Sequence, residues 1–91
     1  MPYDIIYTTA FKKDIKKAKK RGKNLDKLFQ VVDLLINDLP LPEHLRDHSL
    51  SGSWVNTREC HLEPDWLLIY EKRETQLVLI LTRTGSHSDL F

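Results

Sequence analysis

Two prolines, Pro40 and Pro42, mark the point at which this chain of 91 residues changes its hydrophobic period, and that change narrows the folds open to it. Upstream, apolar residues recur at helical spacing; downstream they fall in short runs broken by turn residues. Proline enforces the boundary because it has no amide hydrogen to donate and its ring collides with the preceding helical turn. With enough residues for one modest core, the chain is expected to form a single α+β domain over residues 1–91, helices first and most strands after.

The stretch YDIIYT, Tyr3 to Thr8, is rich in β-branched and aromatic residues and reads as a short first strand. Thr8 or Thr9 can cap a helix running from Ala10, on which Phe11, Ile15 and Ala18 form a narrow apolar stripe. Gly22 ends that helix, and Asn24 caps a second one with Leu25, Leu28, Phe29, Val32, Leu35 and Ile36 along one face. Beyond Pro42, LRDHSLSGSW reads as a short strand with a Ser-Gly-Ser turn. Val55 to Glu63 follows as a strand with Glu59, His61 and Glu63 on one face and Cys60 and Leu62 on the other. Trp66 to Glu71 and Gln76 to Thr84 then pair as a hairpin across KRET. The expected architecture is an N-terminal strand, a two-helix hairpin, and about four antiparallel strands carrying the helices on one face.

Charge is divided along the chain. Residues 1–30 hold nine Lys/Arg against three Asp/Glu, while residues 31–91 hold five against ten, so a net charge of +1 conceals a basic first third. Such a helix suits either a polyanion or simple solubility. No apolar run approaches the roughly 20 residues of a membrane helix. The N-terminal sequence lacks the basic-then-apolar order of a signal peptide, so a cytoplasmic location is expected. Cys60 is the single cysteine and is expected to be a small buried apolar group.

The stretch RECHLEPDWLLIY, Arg58 to Tyr70, crowds ionisable groups beside an ordinary buried strand, and all four histidines lie in the second half of the chain: His44, His48, His61 and His87. Histidine exchanges protons near neutral pH, so several gathered together would make an acid/base site. His44 and His48 are four residues apart, but they follow two prolines and lack a third ligand, which argues against zinc. GSHSD does not make a catalytic triad, because neighbours in sequence do not converge as a triad requires. Arg83, followed at once by TGSH, offers a fork for phosphate oxygens and a turn returning His87 over the sheet. That is the equipment of metal-free RNA cleavage, in which the ribose 2′-OH attacks its own phosphate between a base and an acid. Asp65, His61 and His48 are candidates for the remaining roles, and Trp66, Trp54 or Phe91 for a surface on which a base stacks.

At these residues the chain resembles the YafQ-like toxins of the RelE superfamily, the ribosome-dependent mRNA endonucleases of bacterial type II toxin–antitoxin pairs. The resemblance spans essentially the whole chain and is densest in LINDLPLP, DHSLSGSW, RECHLEPDWLLIY and RTGSHSDLF. It implies a RelE-like fold and a concave site of His48, His61, Asp65, Arg83 and His87, with Phe91 helping to place the nucleotide; Trp66 joins Phe91 as a substrate-binding candidate on the residue reading above. Asp65 or His48 is expected as base, His87 as acid, and His61 as orienter or electrostatic support. Neither cofactor nor metal is implied. Lys12, Lys13, Lys16, Lys17 and Lys20 become candidates for phosphate contacts with ribosomal RNA.

The expected partners are a cognate antitoxin, the ribosome and mRNA, without a membrane and without DNA except through the antitoxin complex. Two rivals remain. ParE-like toxins share the architecture but act on DNA gyrase without the histidine set, and a non-catalytic RNA-binding regulator would keep the fold alone.

Overall fold

Local signals set both long helices. The Thr8 hydroxyl accepts a hydrogen bond from the Phe11 amide at 2.9 Å and caps α1, Thr9–Lys20. Gly22, at φ 76°, turns the chain out of that helix, with the Lys23 amide donating to the Ala18 carbonyl at 3.0 Å. The Asn24 side chain accepts from the Asp26 amide at 3.0 Å and starts α2, Leu25–Ile36. Both caps fall where the sequence places them.

The computed structural model describes residues 2–91. Around the helices run β1 (Asp4–Tyr7), β2 (His48–Ser49), β3 (Arg58–Glu63), β4 (Trp66–Arg73) and β5 (Val78–Gly85), with a short helix α3 (His87–Leu90) at the end. The five strands form one sheet in the order β1-β5-β4-β3-β2. The β2–β3, β3–β4 and β4–β5 pairs are antiparallel as expected, while β1 lies parallel to β5, from Asp4 opposite Val78 to Tyr7 opposite Leu81. The sheet is therefore mixed, because the chain between β1 and β5 returns to the edge in the direction in which it left.

Three boundaries differ from expectation. The third strand starts at Arg58 rather than Val55, since Gly52–Trp54 forms a 3-10 turn and Asn56 is left-handed at φ 69°. β4 runs on to Arg73 and β5 starts at Val78 rather than Gln76, which moves the four-residue hairpin turn two positions along the chain. α3 was not foreseen, because four residues are too few to show a period.

Pleating divides the sheet into two working faces. Cys60, Leu62, Trp66, Leu68, Tyr70, Leu79 and Leu81 pack beneath the helices against Phe11, Leu28 and Val32. On the opposite face Leu67 and Ile69 form a smaller cluster with Leu90, flanked by Leu50 and Trp54. Among the described residues, no helix is long and apolar enough to cross a membrane. Cys60 is fully buried in the main core, and that burial pushes its thiol up to about 12. Native protein at about pH 8 should therefore resist thiol alkylation, whereas denatured protein should react completely. Quantitative labelling of the native form would contradict this packing.

Candidate active site

The second face of the sheet gathers the ionisable groups. Register sets Glu59 of β3 opposite His48 of β2 on one side and Ile69 of β4 on the other, with His61 opposite Leu67. Side chains two apart on β3 share a face, so His48, Glu59 and His61 stand together on a floor of Leu67 and Ile69. The His48 and His61 rings are 6.1 Å apart at an interplanar angle of 27°, and the His61 and His87 rings are 5.8 Å apart. The three imidazoles form a row with His61 in the middle.

Glu59 underlies that row. Its Oε1 lies 3.7 Å from Nε2 of both His48 and His61, and the residue is only 5% exposed. A buried carboxylate is costly unless positive charge or hydrogen bonds accompany it. When either ring takes up a proton, Glu59 is the negative charge beside it. Sequence reading placed Glu59 on the face of His61 without giving it a role.

Hydrogen bonds to the outer rings fix their tautomers. Nδ1 of His48 lies 2.7 Å from the Arg46 carbonyl, which only accepts, so that nitrogen carries the proton and a neutral ring leaves its Nε2 lone pair free. Nδ1 of His87 lies 2.6 Å from Asp65 Oδ1, and the His87 amide donates to the same oxygen at 2.9 Å. The His87 amide first, and then its ring, hold the Asp65 carboxyl below its ordinary range. Asp65 is thus a carboxylate that directs Nδ1 of His87 and leaves Nε2 to face outward. Nδ1 of His61 is buried and makes no hydrogen bond among the described residues.

His87 owes its place to the fold of α3. Ser86 and Asp89 form a capping box, the Ser86 amide donating to Asp89 Oδ2 at 2.9 Å and the Asp89 amide to Ser86 Oγ at 3.1 Å. The same carboxylate accepts from Arg21 Nη1 at 2.6 Å and Lys17 Nζ at 3.1 Å, both on or just beyond α1. Arg21, the Ser86 amide and Lys17 together hold the Asp89 carboxyl well below the usual carboxylate range. Gly85 permits the close turn, because a Cβ there would stand 3.0 Å from the Asp89 side chain. The motif Ser86-x-x-Asp89 was the available signal for this helix.

Arg83 stands opposite Ile69, on the site face, and its Nε and Nη2 bind Asp14 of α1 at 2.6 and 3.1 Å. Phe91 is 61% exposed and meets Trp54 edge-on with ring centroids 5.7 Å apart, so an aromatic surface stands at the rim. Trp66 requires a correction: it is 1% exposed and faces the helices, because β4 directs Leu67 and Ile69, not Trp66, to the site. It cannot stack a base. Lys12, Lys13, Lys16 and Lys20 are exposed on α1, as is Lys17, which is engaged by Asp89.

The likeness to known proteins follows the same residues. The family model for the bacterial toxin of type II toxin-antitoxin systems, YafQ, matches residues 3–91. This chain belongs to the YafQ family. It is 48% identical over 89 residues to the mRNA interferase toxin YafQ of Escherichia coli strain K12, covering 97% of this chain and 95% of the relative. The crystal structure of the Escherichia coli DinJ-YafQ toxin-antitoxin complex contains a chain with a TM-score of 0.90 and 46% identity, over 100% and 99% of the two chains. A metal-bound toxin from Helicobacter pylori matches at a TM-score of 0.91 and 42% identity over the whole of both chains. Among the described residues here, no group of three or more His, Cys, Asp or Glu side chains is arranged to hold a metal. His44 and His48 lie on separate short elements, a 3-10 turn and β2.

The Asp89 clamp has a measurable consequence. A carboxyl lowered by folding stabilises the native state above its ordinary value of 3.8, and that contribution fades as pH falls toward the folded value. Asp89→Asn should therefore weaken the protein near neutrality and flatten the acid limb of its stability curve, read by thermal denaturation between about pH 6 and pH 2. An equal loss at every pH would show that the carboxylate's charge is not what stabilises α3.

Proposed function

We propose that the protein is the toxin of a type II toxin–antitoxin pair, an endoribonuclease that cuts mRNA in the ribosomal A site without a metal. The observation that carries this reading is the row of three imidazoles on one sheet face, with a carboxylate beside each outer ring and Arg83 on the same face. The mRNA interferase relative supplies the substrate class, and the relative solved with its antitoxin supplies the partner class.

The tautomers favour a division of labour. His48, protonated at Nδ1 through the Arg46 carbonyl, offers the Nε2 lone pair that removes the proton of the ribose 2′-OH. The oxygen so freed attacks the adjacent phosphorus. His87 enters this step as the imidazolium, its Nδ1–H held by Asp65, delivers the Nε2 proton to the departing 5′-oxygen and is left neutral. Products are a 2′,3′-cyclic phosphate and a 5′-hydroxyl, and both protons are accounted for. Asp65 then serves as orienter of the acid rather than as the base. His61, between the two, and the three unbonded hydrogens of Arg83 face the charge that builds on the phosphorane. Glu59 offsets positive charge as His48 becomes protonated. Phe91, exposed at the rim, supplies the stacking surface in place of Trp66.

Docking on the ribosome falls to the outer face of α1, where Lys12, Lys13, Lys16 and Lys20 make no salt bridge among the described residues. A cytoplasmic setting follows from a substrate that is mRNA under translation. The gyrase-inhibitor reading is less favoured, since it leaves the histidine row without a purpose.

Mapping new 5′ ends on a defined mRNA carried by translating ribosomes tests the proposal. His87→Ala should lower cleavage roughly 10²- to 10⁴-fold with folding and ribosome binding retained, the range expected for loss of a general acid. Ribosome-free mRNA should stay intact. Undiminished cleavage by the variant would remove His87 from the mechanism, and intact mRNA with the unaltered, folded protein would leave a binding-only toxin. Charge reversal at Lys16 and Lys20 should weaken ribosome binding and lessen its salt dependence; an unchanged salt slope would move the docking surface elsewhere.

A further inference from the structure

Helix α1 supplies no member of the histidine row, yet its single carboxylate reaches Arg83. Asp14 is 9% exposed and sits among lysines in sequence, on the inward side of α1 with Phe11 and Ala18. Its Oδ2 accepts from Arg83 Nε at 2.6 Å and from the Thr84 amide at 3.1 Å, while Oδ1 accepts from Arg83 Nη2 at 3.1 Å. Sheet topology explains why it can. β1 pairs with β5 only as far as Tyr7 opposite Leu81, so beyond that point the edge of β5 has no neighbouring strand. The Asp14 carboxylate occupies that edge, takes the Thr84 amide that a strand would have taken, and grips the adjacent arginine.

We propose that Asp14 is a positioning residue for RNA cleavage, holding the Arg83 guanidinium so that its remaining donors face the scissile phosphate. The inference rests on Arg83 being the phosphate clamp. Arginine has five N–H donors in a rigid plane. Asp14 takes two of them along the Nε–Nη2 edge, which leaves both hydrogens of Nη1 and one of Nη2. A side chain with many rotamers is thereby restricted to one plane and one reach before substrate arrives, so the ordering cost does not fall on the chemical step. Asp14 never touches the substrate in this scheme. It also balances a guanidinium that would otherwise repel any nearby protonated imidazole, so Arg83 recognises phosphate by geometry as well as by charge.

A structural role at the Thr84 amide is the rival, and a double-mutant cycle separates the two. Asp14→Asn keeps an oxygen for that amide but cannot grip both arginine nitrogens. Single-turnover cleavage on ribosomes should fall roughly 10- to 100-fold in the presence of Arg83, the scale of a small misplacement, and change little when Arg83→Ala is already present. Equal losses in both backgrounds would overturn the proposal and assign Asp14 to folding. Unaltered cleavage by Arg83→Ala alone would instead overturn the reading of Arg83 on which it rests. Should Asp14→Asn fail to fold, exchange of the Arg83 Nε–H in the unaltered protein decides: protection supports the clamp, and exchange as fast as a free arginine overturns it.

Discussion

The pleat of β3 is the constraint on which the rest depends. Cys60 and Leu62 point beneath the helices into the main core, so Glu59 and His61, one residue out of phase, have no place except the opposite face. A slip of one residue would bury a histidine and a glutamate under α1 and α2 and expose a cysteine and a leucine. Register is therefore enforced by the core, and the site inherits it. The histidine face needs no separate folding device, since Leu67 and Ile69 of β4 supply its floor by the same alternation.

What the strands cannot supply is the approach of His87, which comes from beyond the last of them. Four interactions converge on Asp89 to hold it: the capping box with Ser86, the ion pairs to Arg21 and Lys17, and the close passage over Gly85. Together they make α3, a helix too short to persist alone, into a fixed mount for His87 and Phe91. Asp65, at the β3–β4 turn, then sets the ring. The placing of His87 thus comes from two carboxylates, Asp89 beneath its helix and Asp65 against its ring.

How much of this could be read from the sequence depended on range. Caps at Thr8 and Asn24, the helical hairpin and the alternation of Glu59, Cys60, His61 and Leu62 are local and were legible. Pairing of β1 with β5 joins residues more than seventy positions apart and leaves no local trace. Trp66 was misjudged as a stacking surface although the alternation of WLLIY already grouped it with Leu68 and Tyr70, the core side. Asp14 drew no separate reading in a lysine-rich helix; its spacing from Phe11 and Ala18, three on from one and four back from the other, was the trace that it lies on the inner face. Glu59 had the right face, but only the packed sheet shows that it is buried between two rings.

Several of the cations around the site are matched by carboxylates. Arg83 is matched with Asp14, Arg58 with Asp47, Arg21 and Lys17 with Asp89, and Lys23 and Lys27 with Glu63. Each pair fixes geometry and gives up long-range field in return, since a bridged charge attracts a distant polyanion weakly. Attraction is left to the outer face of α1. A single helix thus carries two charge systems, lysines turned outward that suit a large polyanion and an aspartate turned inward that holds Arg83. Under the proposed function, with the substrate presented by a much larger RNA surface, capture and chemistry would use different charges, and neither would have to be compromised for the other.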